Sequence, residues 1–149
     1  MSDREYPTRP FVGIGIVVIK DDQVLLCQRG KPPNLGSWTL PGGAQDLGET
    51  CEEAARRELM EECGLVVGDL HFCAHVDTIR RDDDGRIRFH YTILDFAARW
   101  VAGEPVAATP PQGMPMRGRS FEKQDRRCMC HFREKQPTLY LLFKTWSPT

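Results

Sequence analysis

Three glutamates fall within five residues of one another: Glu58, Glu61 and Glu62. On a helix, with Glu58 at 0°, Glu61 falls near about −60° and Glu62 near about +40°, so all three carboxylates crowd one side. Like charges at these spacings repel by about 0.2–0.5 kcal/mol per pair in an isolated helix. No lysine stands four residues from any of them. A hard divalent cation, Mg²⁺ or Mn²⁺, favours carboxylate oxygens and would relieve the repulsion. Ala54 lies near about −40° on the same side, where a small residue leaves room for a ligand to approach. The competing reading is a solvated acidic face.

The segment that carries these residues predicts a helix over 50–63. Thr50 is a suitable N-cap, and Glu53 three residues on completes a capping box. Ala54 to Met60 are strong helix formers, and Gly64 supplies the C-terminal stop. Ala55, Leu59 and Cys63 share the face that should pack on a sheet.

The preceding chain predicts the frame that holds the helix. Residues 11–20 (FVGIGIVVIK) read as a buried strand. Asp21-Asp22 form a turn, and residues 23–29 return as the second strand of a hairpin. Residues 30–43 hold four glycines and three prolines in 14 positions, which forbids a long helix and marks a constrained loop. Trp38-Thr39-Leu40 is a candidate short strand within it. Residues 70–79 and 86–97 read as two further strands, joined by the turn Asp82-Asp83-Asp84-Gly85. The second is long and apolar enough to lie centrally in a sheet.

From Gly43 the chain reads GAQDLGETCEEAARRELMEECGL. Gly43, Glu49, Arg57-Glu58-Leu59, Glu61-Glu62 and Gly64-Leu65 occupy all nine defined positions of the Nudix signature, with its spacing. The chain thus resembles the Nudix hydrolase family over this box, 43–65, and less specifically over the whole of 1–109. The resemblance implies an α/β fold: an α/β/α sandwich around a mixed β-sheet, with the signature as a loop–helix–loop. It implies an enzyme that hydrolyses a pyrophosphate bond in a nucleoside diphosphate derivative with Mg²⁺ or Mn²⁺.

Carried over by position, Glu58 and Glu62 resemble the main metal ligands. Glu61 resembles a further ligand or the general base, and the Gly43 carbonyl another ligand. Glu49 and Arg57 resemble the pair that anchors loop to helix. The chemistry agrees with that set, because a pyrophosphate is multiply anionic and cations that neutralise it also activate water. A carboxylate then takes the water's proton.

Substrate identity lies outside the box. The pattern GKPPNLGSWTLPGG is similar to that of ADP-ribose pyrophosphatases, which would give AMP and ribose 5-phosphate. The alternatives are a nucleoside triphosphate pyrophosphohydrolase and a non-catalytic nucleotide-binding module. Arg29 is a candidate phosphate grip or a surface arginine. Trp38 is a candidate stacking platform or a core residue. His90 and Tyr91 lie on the long strand, where one side could face a cleft, though a strand histidine is more often structural.

Composition bounds the remaining classes. The chain has 149 residues, 20 Lys+Arg against 21 Asp+Glu, and net charge −1. Residues 1–109 carry 12 basic and 18 acidic side chains, and residues 110–149 carry 8 and 3. An acidic body argues against a nucleic-acid binder. No stretch approaches the ~18 apolar residues of a membrane span. The mixed charges of Met1–Glu5 do not read as a secretory signal, so the expected compartment is cytoplasmic. Cys27, Cys51, Cys63 and Cys73 lack a disulfide spacing and read as reduced, semi-buried thiols.

Residues 110–149 depart from the family pattern as a basic segment. Pro110 to Pro115 break regular structure, and only Leu139–Phe143 look ready to be buried. Cys128-Met129-Cys130-His131 offers soft ligands but lacks the second half of a zinc site. One reading is a genuinely divergent end. The other is a reading-frame change near Pro110, because Gly113–Arg117 read one base earlier give x-Ala-x followed by Ala or Glu, with x among Asp, Asn, His and Tyr, which resembles the Asp/Ala-rich run of the family. If the covering C-terminal helix is missing, apolar sheet surface is exposed, which invites either association, with a homodimer as the candidate, or poor solubility.

Overall fold

The computed structural model describes residues 4–28, 37–105 and 129–134. Among them are eight strands and one α-helix, in the order β1 (Phe11–Lys20), β2 (Gln23–Gln28), β3 (Trp38–Thr39), β4 (Gly42–Ala44), α1 (Cys51–Cys63), β5 (Val66–Val67), β6 (His71–Arg81), β7 (Ile87–Ala102) and β8 (Met129–Glu134).

β1 is the spine of the sheet. Gly13 through Ile19 are all buried, as the unbroken run of apolar residues requires. Along one edge β1 runs parallel to β7, from Phe11 opposite Tyr91 to Ile19 opposite Arg99. Along the other it pairs antiparallel with β4 at Gly13–Gly15 and with β2 beside the hairpin turn. The sheet is therefore mixed. β7 also carries β6 along its outer edge and β5 beyond it, so the long strand is central as expected.

Alternation along β1 divides the core. Ile14, Ile16 and Val18 face α1, where Ala54, Ala55, Leu59 and Cys63 pack with Leu25, Phe96 and Ala98. Val17 and Ile19 face the other way, with Val24 and Ala97. Burying one such aliphatic side chain contributes about 1.5–3 kcal/mol. Ala54 is fully buried in this core rather than open to a ligand, because it packs with the β1 residues beside Ala55 and Leu59.

The ends of α1 form as its residues dictate. The Thr50 hydroxyl accepts from the Glu53 amide at 3.2 Å, and the Glu53 carboxylate accepts from the Thr50 amide at 2.8 Å. Gly64 closes the helix in the left-handed region at φ 67°, where a Cβ is disfavoured. Arg56 then ties the helix to the next segment by donating to the Val67 and Gly68 carbonyls at 2.9 and 3.0 Å.

Three strands were not among the sequence expectations. β4 and β5 are too short to show a period. β8 lies in the basic segment, yet it pairs antiparallel with β2 over its whole length, from Gln23 opposite Glu134 to Gln28 opposite Met129. The sheet thus reaches beyond Thr109. Cys130 and His131 stand opposite Cys27 and Leu26 in this ladder. Leu139–Phe143 and Cys128 lie outside the described residues. Cys27, Cys51, Cys63 and Cys73 form no disulfide among the described residues, and the buried Cys27 and Cys63 bring their sulfurs within 3.6 Å of each other. No described helix is long and apolar enough to cross a membrane.

Candidate functional site

The geometry begins with two adjacent glycines on β4. Gly42 has φ +152°, and a Cβ there would strike the Ile14 carbonyl oxygen. A Cβ on Gly43 would strike the Glu58 carboxylate, closer than side chains tolerate. The missing side chain at Gly43 is what lets the strand backbone and the Glu58 carboxylate approach. Gly42 adds a second tie, its amide donating to Glu62 Oε2 at 3.1 Å. Two glutamates from one helix face are therefore drawn to one short strand.

Glu58 is the buried member, 5% exposed, an uncommon place for a carboxylate unless it is paired. Its partner is Arg57, whose Nη1 donates to Glu58 Oε1 at 2.9 Å and to Glu61 Oε2 at 3.2 Å. Among the described residues, Glu58 Oε2 takes no hydrogen bond. The repulsion expected among the three carboxylates is thus relieved in part by a cation of the same helix. The cation four residues from Glu61 is an arginine and not a lysine.

Arg57 also reaches backward to the loop. It donates through Nε and Nη2 to Glu49, the latter at 3.0 Å to Oε2, and through Nη2 to the Ala44 carbonyl at 3.2 Å. Asp46 lies 3.6 Å from the same nitrogen. Glu49 in turn accepts from the Asp46 amide at 2.9 Å. Such a two-pronged pair fixes direction as well as charge. The hydrogen bonds that Arg57 donates to Glu49, above all, hold its guanidinium far above the ordinary pKa, and Glu58 adds to the effect. The loop after β4 and the first half of α1 are therefore one rigid unit.

The structure brings together Gly43, Glu49, Arg57, Glu58, Glu61 and Glu62. It places Trp38 on β3 opposite Gln28, half-buried. Arg29 lies outside the described residues. His90 and Tyr91 are half-buried on β7, with Tyr91 against Phe11 at a ring separation of 5.9 Å. The Gly42 amide and the Ala44 carbonyl were missed as participants. The paired glycines before the acidic helix were the available signal.

The donor set fits a hard divalent cation. It offers carboxylate oxygens on a helix face beside a strand whose side chains are absent where the carboxylate sits. Among the described residues, no three His, Cys, Asp or Glu side chains already converge as a cage. Arg57, rather than a fourth acid, stands between Glu58 and Glu61.

One other carboxyl stands out. Asp95 on β7 lies over Gly15, where a Cβ would collide with its oxygen, and burial pushes its pKa up.

A mixed sheet with a capped acidic helix packed against a glycine strand places the chain in the α/β class. The NUDIX domain family model matches residues 9–123, and the chain belongs to the Nudix family. It is 36% identical over 86 residues to an ADP-ribose pyrophosphatase of Methanocaldococcus jannaschii, covering 58% of this chain and 51% of that protein. It is 38% identical over 91 residues to a putative 8-oxo-dGTP diphosphatase 2 of Mycobacterium tuberculosis, covering 60% and 61%. The chain therefore spans about half to three-fifths of these relatives. A crystal structure of a MutT NUDIX hydrolase from Burkholderia pseudomallei superposes with a TM-score of 0.64 at 25% identity, over 93% of this chain and 99% of that one. The α/β/α sandwich expected from the signature is the fold of this chain.

Proposed function

We propose that the chain hydrolyses a pyrophosphate bond in a nucleoside diphosphate derivative, with ADP-ribose, cleaved to AMP and ribose 5-phosphate, as the substrate. The observation that carries this reading is the approach of Gly43 to the buried Glu58 carboxylate, with Glu62 tied to the neighbouring Gly42. A surface acidic face has no need of such a fit.

Glu58, Glu62, Glu61 and the Gly43 carbonyl would hold Mg²⁺ or Mn²⁺. The bound cation would supply charge neutralisation at the phosphate oxygens and an activated water. The chain's own part is positional. Glu49 fixes Arg57, and Arg57 fixes Glu58 and Glu61, so the carboxylates need no reorganisation when the substrate arrives. A glutamate of this set takes the water's proton, which requires a carboxylate at hydrogen-bond reach and no covalent nucleophile.

The second reading is hydrolysis of a nucleoside triphosphate to a monophosphate and pyrophosphate. The relative named as a putative 8-oxo-dGTP diphosphatase supports it. A non-catalytic nucleotide-binding module is the third. A panel of nucleoside diphosphate derivatives and triphosphates, assayed with each metal and with Glu62→Gln as control, separates all three by product. AMP plus ribose 5-phosphate supports the first reading. Pyrophosphate release supports the second, and no turnover of any compound supports the third.

A further inference from the structure

The outer edge of β6 is a surface that the chemistry at α1 does not use. β6 pairs with β7 along one side, and among the described residues its other side pairs with no strand. Exposed edges are normally guarded by charged side chains, above all lysine, by proline or by a bulge within the strand. β6 contains neither lysine nor proline, its arginines, Arg80 and Arg81, stand at one end, and Asp77 is its one carboxylate. Its irregularities fall at its ends, between Phe72 and Ala74 and between Arg80 and Arg81, which leaves Ala74–Arg80 regular. Phe72, Val76 and Ile79 stand 58%, 48% and 50% exposed along it.

We propose that β6 pairs antiparallel with β6 of a second copy of this chain, about a two-fold axis through Val76. Such an axis, normal to the sheet, keeps each face of one sheet continuous with the same face of the other. Residues opposite one another must share a face, so the axis must pass through a residue and not between two. The choice of residue is then a matter of charge. With the axis at Asp77, two carboxylates meet, and like charges directly opposite are destabilising. With the axis at His75, two imidazoles meet and Asp77 faces Cys73.

With the axis at Val76, the two valines meet each other. His75 then faces Asp77 twice, once on each side of the axis, and Ala74 faces Thr78. Asp77 and Thr92 lie on the same side of the sheet, where Asp77 Oδ1 accepts from the Thr92 hydroxyl at 3.0 Å. That bond leaves Oδ2 for the imidazole of the other copy. The strand is thus complementary to itself in this register, whereas an axis at Ala74 or Ile79, which also opposes Asp77 to a basic residue, carries the pairing across the irregularities at the ends of β6. The proposal stands apart from the hydrolytic reading and does not depend on it.

The test is the mass of the full chain in solution, by sedimentation equilibrium over a dilution series. The expected result is a reversible dimer of twice the 17.0 kDa chain mass. His75→Asp sets carboxylate against carboxylate and should give the 17.0 kDa species. Combining it with Asp77→His exchanges the two partners and should restore the dimer. Val76→Lys alters a half-exposed side chain at the axis and should also give the monomer, which decides the matter if His75→Asp does not fold by circular dichroism. The proposal is overturned by a wild-type chain that is monomeric throughout, by Val76→Lys remaining dimeric, or by a folded exchange variant that stays monomeric.

Discussion

Removing the Arg57 side chain should destabilise the fold well beyond an ordinary surface mutation. Its side chain is 21% exposed and those of its partners Glu49 and Glu58 are 19% and 7% exposed. Arg57→Ala deletes both prongs to Glu49, the bonds to Glu58 and Glu61, and the bond to the Ala44 carbonyl. Breaking a fully buried pair costs about 3–5 kcal/mol because a charge is left without its partner. An exposed pair is worth only about 0.2–1 kcal/mol. Glu58 belongs with the first case, and Glu61, whose side chain is 42% exposed, with the second.

Between these limits the expected loss is about 2–3 kcal/mol. For a chain of this size that lowers Tm by roughly 4–12 °C. Arg57→Lys keeps the charge but not the fork, and should fall between the two. Urea unfolding followed by circular dichroism measures the difference. A double-mutant cycle with Glu49→Gln should return a coupling of about 1.5–3 kcal/mol, the range of hydrogen bonds between charged groups. A loss below about 0.5 kcal/mol in Arg57→Ala, typical of surface sites, would refute the reasoning.

Three further outcomes follow from the same geometry. Gly43→Ala should fold but lose about 10²-fold in turnover, because the methyl group displaces Glu58, and misplacement of reacting groups by an ångström costs that much; unchanged turnover with correct folding would contradict the role of the glycine. Thr50→Ala should cost about 1 kcal/mol by removing the capping-box acceptor, read as a Tm shift. Asp95→Asn should raise Tm at neutral pH. Burial raises the folded carboxyl's pKa, so the penalty is full above the folded value and absent below the unfolded one. The gain should therefore shrink as pH falls through the folded value and vanish below the ordinary carboxylate range; a gain independent of pH would show that packing against Gly15, not charge, is responsible.

The parts of the fold written in local chemistry were legible in the sequence. The capping box at Thr50 and Glu53, the left-handed Gly64 and the Asp82–Gly85 turn each depend on residues a few positions apart. β8 was not legible, because an Arg-rich segment shows no strand period and its pairing with β2 spans about a hundred residues of chain. The site was legible through the signature, including the Glu49–Arg57 pair. The i,i+4 spacing of Arg57 and Glu61 was there to be read. What the spacing could not show is that Ala54 packs into the core with Ile14, Ile16 and Val18, a tertiary fact. Sequence favoured the core reading of Trp38 over the stacking one, and the structure places the residue half-buried on β3.

The central claim is that the glutamates of α1 hold a divalent cation for pyrophosphate hydrolysis. Titration of the full chain with Mn²⁺, read as loss of the free-ion electron paramagnetic resonance signal, tests it most directly. The wild-type chain should bind Mn²⁺, and Glu58→Gln and Glu62→Gln should each bind it much more weakly while remaining folded. Equal binding by the wild type and both folded variants would contradict the account.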